Sequence, residues 1–234
     1  MKERIFIPVS TGTFAAEFYF EQGRKLPGII FLHDITGIQE STRETARHLF
    51  KEGYQVLIPD LFSKDGAWNY CVRMLFDKVC RDNEENNPAM MEIHELIEKF
   101  KDFEEVDSEN IGLIGQCLSG GFVLQAAMRP DLKAPVVFHH SFGFSGSGMP
   151  KTCVPKVQHK IQGHFSNFDF ITPKERVAEL KTDLGEKLED HYYDLPHGIP
   201  HFFELTSEGK RAYSNMLQFF RTNLVSAQKD SDES

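Results

Sequence analysis

The chain has 234 residues, a formal net charge of -9 and an apolar share of 40%. That length suits one large α/β domain with a sizeable core. The acidic balance offers nucleic acid or an anionic bilayer no basic face, and no window approaches the roughly 18 apolar residues of a membrane span.

Short apolar strands alternate with longer helical stretches, the pattern of βαβ units and a parallel sheet with helices on both faces. Residues 4–20 alternate and predict a hairpin turning near 10–12. A strand over 28–32 runs into the loop His33-Asp34-Ile35-Thr36-Gly37. A helix is expected over 41–52, with Ser41 as N-cap and Glu44 completing a capping box, and Gly53 stops it. A strand over 55–59 follows. Helical spacing continues over 68–80, then a charged, Asn-rich break over 81–88. Met90, Ile93, Leu96, Ile97 and Phe100 form the stripe of an amphipathic helix, read as core packing. Strands are expected over 111–115, 135–140, 158–163 and 191–195. Helices are expected over 120–128, 173–184 and 207–224. A single domain over 1–225 and a disordered polar tail over 226–234 complete the reading.

The first ten residues carry no long hydrophobic stretch of a targeting segment. The four cysteines, Cys71, Cys80, Cys117 and Cys153, are scattered, with neither CxxC nor zinc-type spacing. Reduced thiols in a cytoplasmic protein fit best.

The chemistry gathers at Ile111-Gly-Leu-Ile-Gly115-Gln116-Cys117-Leu118-Ser119-Gly120-Gly121. An apolar strand, a glycine, one residue, a cysteine and two further residues before glycine make a strand-turn-helix nucleophile elbow, with cysteine as the nucleophile. The tight turn holds the side chain clear of the backbone. Glycines on both sides let strand and helix approach. The helix that opens there turns its positive end to the sulfur and favours thiolate over thiol. The Leu118 backbone N–H faces the reacting carbonyl as half of an oxyanion hole.

Such a hydrolase presents nucleophile, acid and histidine in that order. Asp169 is the acid of the loop after the 158–163 strand. Two histidines follow the last strand, His197 and His201. Either would serve as general base braced by Asp169. His201, with a glycine three positions before it and a phenylalanine two after, has the preferred local pattern. His139 and His140, at another strand end, read as pocket lining or core. The second oxyanion donor is expected from the backbone of Ile35, with Asp34 pointing into the pocket beside Cys117.

These motifs resemble the dienelactone hydrolase family of the α/β-hydrolase superfamily. Leu32-His33-Asp34-Ile35-Thr36-Gly37 is similar to its apolar-His-Glu-x-x-Gly loop. Arg43-Glu44-Thr45, Glu52-Gly53-Tyr54 and Pro59-Asp60-Leu61-Phe62 resemble its Arg-rich helix, Gly-Tyr turn and Pro-Asp-Leu-Tyr strand end. Gly115-Gln-Cys117-Leu-Ser-Gly120-Gly121 matches its elbow with one glycine displaced, and Asp169-Phe-Ile-Thr-Pro173 is similar to its acid loop. The resemblance implies an α/β-hydrolase fold and a hydrolase of small ester or lactone substrates, with Cys117, Asp169 and His201 as triad and Ile35 and Leu118 as oxyanion donors. Asp34 stands where the family has a resting-state glutamate. The resemblance implies no metal or organic cofactor, and neither nucleic acid nor membrane as partner. Two other readings stay open: a non-catalytic binding module on the same fold, and a redox-responsive thiol, which needs a second cysteine near Cys117.

Overall fold

The computed structural model describes residues 1–72, 88–140 and 147–224. Eight strands form one sheet: β1 (Lys2–Val9), β2 (Gly12–Tyr19), β3 (Leu26–Leu32), β4 (Gln55–Asp60), β5 (Val106–Gln116), β6 (Leu132–Phe138), β7 (Ile161–Ser166) and β8 (Leu188–Tyr193). Their spatial order is β1-β2-β4-β3-β5-β6-β7-β8. The first two strands form the expected hairpin, and β2 joins β4 antiparallel. From β4 through β8 every neighbouring pair is parallel. The carboxyl ends of these strands therefore share one edge of the sheet, where an open α/β sheet builds its site.

Helices cover both faces. The helices are α1 (Glu40–Lys51), α2 (Pro88–Lys101), α3 (Leu118–Ala126), α4 (Lys174–Leu184) and α5 (Ser207–Asn223). Successive strand side chains point to opposite faces, and β3 shows it. Ile30 and Leu32 pack in one apolar cluster with Phe100 and Phe122; Ile29 and Phe31 pack in the other with Leu49 and Phe220. The stripe Met90, Ile93, Leu96, Ile97 and Phe100 is buried against the first cluster. At about 25 cal/mol per Å² of apolar surface removed from water, these two layers supply the main drive to fold.

Some boundaries differ from expectation. Helix α1 starts at Glu40, and its N-cap, Gln39, makes no side-chain capping bond. Ser41 is not a cap, because its hydroxyl pairs with His201 Nδ1 at 2.8 Å instead. β8 runs Leu188–Tyr193, since its register pairs Leu188 with Ile161 and Tyr193 with Ser166. The expected helix over 68–80 is helical from 67 to 72. The rest of that stretch, most of the Asn-rich break and the tail over 226–234 lie outside the described residues. Among those described, no helix is long and apolar enough to cross a membrane.

Candidate active site

β5 delivers its chain directly into α3, and Cys117 is the single residue between them. Cys117 has φ 58° and ψ -118°, a region that disfavours any side chain. Such a conformation costs about 1–3 kcal/mol and persists only where neighbours over-determine it. The neighbours do so here. The Cys117 N–H donates to the Phe138 carbonyl at 3.0 Å, joining the turn to β6. Ser119 Oγ accepts from the Gln116 N–H at 2.9 Å and donates to the Leu32 carbonyl at 2.9 Å, joining it to β3. Glycine is obligatory on both sides. A Cβ on Gly115 would sit 2.4 Å from the Ser119 carbonyl oxygen, and one on Gly120 would sit 2.1 Å from that of His139. Cys117 retains 8% exposure at the carboxyl edge of the sheet.

The acid loop follows β7. Its carboxylate, on Asp169, has a side chain only 1% exposed. Oδ1 accepts from the Ile171 and Thr172 N–H groups at 2.8 and 3.0 Å. Oδ2 pairs with His197 Nδ1 at 2.8 Å. Burial works to raise the Asp169 pKa, but His139, His197 and the Thr172 N–H outweigh it and hold the carboxyl far below the usual range. The second ring nitrogen of His197, Nε2, is buried and makes no hydrogen bond of good geometry. Burial tends to lower the His197 pKa, yet Asp169 and Cys117 lift it to about 9.

Asp169 has a second imidazole. His139 Nδ1 lies 2.8 Å from the same Oδ2, but out of line for a hydrogen bond, so both its ring nitrogens lack one. This buried ring stacks on His197 with centroids 4.5 Å apart and planes at 29°. Burial, the largest influence, holds its pKa below the ordinary histidine value. His139 also takes a positive φ, 56°, shared among non-glycine described residues only with Cys117. Donor atoms of His139, Asp169 and His197 lie within 4.8 Å of one another, a spacing compatible with a metal. The trio is accounted for equally by the Asp169–His197 pair and the His139–His197 stack. Sequence reasoning had left His139 as lining or core; its place after a strand end was the available signal.

His201 is not on Asp169, which corrects the preferred reading of the last loop. Its Nε2 pairs with Asp34 Oδ2 at 3.0 Å and its Nδ1 with Ser41 Oγ at 2.8 Å. The physical reason is a turn. Gly198 has φ 90° and opens a short 3-10 segment, Ile199–Phe202. That turn carries His201 away from the acid loop to the start of α1. His197, four residues past the end of β8 and just before that turn, remains beside Asp169; its neighbour Gly198 was the signal that the chain bends there.

Asp34 also differs from expectation. Its Oδ1 accepts from the Thr36 N–H and hydroxyl at 2.7 and 2.5 Å. With Oδ2 on His201, the carboxylate is committed to Thr36 in its own loop and to an imidazole of the last loop. Burial raises its pKa, but His201 and Thr36 prevail and keep it below the usual carboxylate value. His33 stiffens the loop from behind, donating Nδ1–H to the Asp34 carbonyl at 2.7 Å while Nε2 accepts the Leu61 N–H at 2.9 Å. The parallel register sets Leu32 beside Gly115. Two residues beyond each, the Asp34 loop and Cys117 are therefore neighbours. Ile35 exposes its side chain. Leu118, first in α3, carries an N–H with no acceptor inside the helix.

The family model of the dienelactone hydrolases matches residues 14–224. The chain belongs to the dienelactone hydrolase family. Relatives within reach include a carboxymethylenebutenolidase of Rhodococcus opacus, 25% identical over 181 residues, covering 71% of this chain and 67% of the relative. Another, from Pseudomonas putida, is 22% identical and covers 72% of each chain. Among solved structures, a dienelactone hydrolase-like promiscuous phosphotriesterase from metagenomic libraries superposes with a TM-score of 0.79 at 15% identity, covering 96% of this chain and 99% of the other. The Pyrobaculum calidifontis esterase gives 0.68 at 15% identity, covering 95% and 85%. At such identity the structures share the α/β-hydrolase fold. As a dienelactone hydrolase family member, the chain is a hydrolase.

Proposed function

We propose that this hydrolase cleaves carboxylic esters or lactones through Cys117, His197 and Asp169, by way of a thioester. The observation that carries the reading is the imidazole of His197, braced by Asp169 at 2.8 Å, with Cys117 near enough to lift its pKa. The relatives named carboxymethylenebutenolidase favour a lactone among the substrates.

With its pKa raised, His197 holds on Nε2 the proton drawn from Cys117, and the thiolate sulfur attacks the carbonyl carbon. The carbonyl π pair moves to oxygen, where the N–H groups of Leu118 and Ile35 receive the negative charge. The intermediate collapses, the alkoxy oxygen departs with the proton from His197, and an acyl thioester remains. Water then gives a proton to His197 and attacks the thioester, and expulsion of the thiolate restores the pair with protonated His197. Asp169 fixes the tautomer with Nδ1–H toward itself and stabilises the imidazolium. Asp34 and His201 act on the loop that carries the Ile35 N–H.

Hydrolysis of small aryl esters and enol lactones tests this. Cys117→Ala and His197→Ala are each expected to lower kcat by about 10³-fold or more, the scale of losing a triad member. Wild-type rates in Cys117→Ala would reject the scheme.

A further inference from the structure

Exposed large apolar side chains are not spread evenly over this molecule. Six of the eleven among the described residues, Ile35, Trp68, Val72, Phe168, Phe170 and Ile171, lie on segments that follow β3, β4 and β7. All three segments leave the carboxyl edge where Cys117 sits. Two of the three carry residues of the site. Ile35 follows Asp34. Phe168 and Phe170 bracket Asp169, with Ile171 next. Trp68 and Val72 flank Cys71 on the 67–72 helix. Burial, the largest influence, and then the neighbouring Cys117 push the Cys71 thiol up. The helix is anchored by buried Tyr70 against Phe62, with centroids 5.6 Å apart, and Phe62 packs on His33 at 4.7 Å.

None of these six side chains is held by the core. Phe170 is 98% exposed. The loop around it is fixed instead by backbone bonds to Asp169, whose carboxylate turns inward. An apolar surface concentrated at a site mouth marks a ligand more often than a folding need. A carbonyl held on the Cys117 sulfur would sit at the same carboxyl edge from which these loops leave.

Resting on the proposed ester hydrolysis, we infer that the rim of Phe168, Phe170, Ile171, Trp68 and Val72 binds an extended apolar group of the substrate, an alkyl chain or aryl ring several carbons long, so that the enzyme selects hydrophobic esters over short ones. Phe168 and Phe170 are the specificity-determining residues on the acid-loop side. The rim binds through surface removed from water, and the carbonyl is held separately by the backbone N–H groups.

The test is a series of p-nitrophenyl esters from acetate to octanoate, on the full chain. The expected octanoate-to-acetate ratio of kcat/KM is about tenfold or more, a modest figure for methylenes leaving water on an open surface. Phe170→Ser and the double variant F168S/F170S are expected to bring that ratio close to one; their exposure makes folding loss a small concern, checked by thermal melts. A ratio near or below one in the wild type, or one that survives both substitutions, overturns the inference. So does a wild-type dimer in sedimentation that F168S/F170S dissolves, because the rim would then be an interface between copies. Failure of the parent reading looks different: no ester in the series would be cleaved in a Cys117-dependent way.

Discussion

His197 and His201 are four residues apart, yet they face different carboxylates. His197→Ala removes the imidazole on Asp169. His201→Ala breaks only the bond to Asp34 and the one to Ser41. We expect His201→Ala to cost about tenfold in kcat/KM, through a loosened Ile35 loop, against the 10³-fold or more of His197→Ala; steady-state kinetics on one ester separates the two. The His197 pKa near 9 also makes a stability prediction. Its folded value lies above the unfolded histidine value of about 6.5. The linked stabilisation is therefore complete below about pH 6.5 and fades as pH rises through about 9. Asp169 works in the opposite direction: its depressed pKa contributes above its unfolded value, about 3.9, and is lost in acid. The melting-temperature gap between wild type and Asp169→Asn should then be widest between about pH 4 and 6.5 and narrower at pH 10. A gap independent of pH would contradict the pairing. At this scale the sequence pattern located the elbow and the acid loop, because turns and nucleophile spacing are local. It misplaced the histidine because one left-handed glycine, Gly198, redirects the chain, and Asp34 because its partner comes from 167 residues away.

The elbow is the element most constrained by shape. Gly120→Ala would drive a methyl into the His139 carbonyl, 2.1 Å away. Since backbone stands on both sides, we expect a loss of about 1–3 kcal/mol, the usual scale of overpacking, measured by urea unfolding. Ser119→Ala would strip two strand ends of one hydroxyl and should cost a similar amount, because a buried N–H and a carbonyl lose their partner. An unchanged midpoint in Gly120→Ala would show that α3 shifts without penalty. The helices and strands themselves were legible from period. The α2 stripe lands in the core as its spacing predicts. The ends were less legible, since β8 is set by its ladder to β7 and the start of α1 by a hydroxyl spent on a histidine; both depend on partners distant in sequence.

On the scale of the whole molecule, one sheet gathers every candidate group at one edge. The acid loop and the imidazole loop leave adjacent strands, and they are laced together there. The Asn167 N–H donates to the Tyr193 carbonyl at 2.9 Å. Ser166 Oγ donates to the Leu195 carbonyl, and Asn167 Nδ2 donates to Asp194 at 2.7 Å. Asp169 and His197 are thus mounted on a shared seam, while Cys117 is bolted separately to β3 and β6. The division has an evolutionary corollary. Carboxylate and imidazole belong to one unit and the sulfur to another, with Phe168, Phe170 and Ile171 built into the first. Because Asp169 is held through the Ile171 and Thr172 backbone N–H groups, the side chains of that loop can be exchanged while the carboxylate keeps its distance from the imidazole.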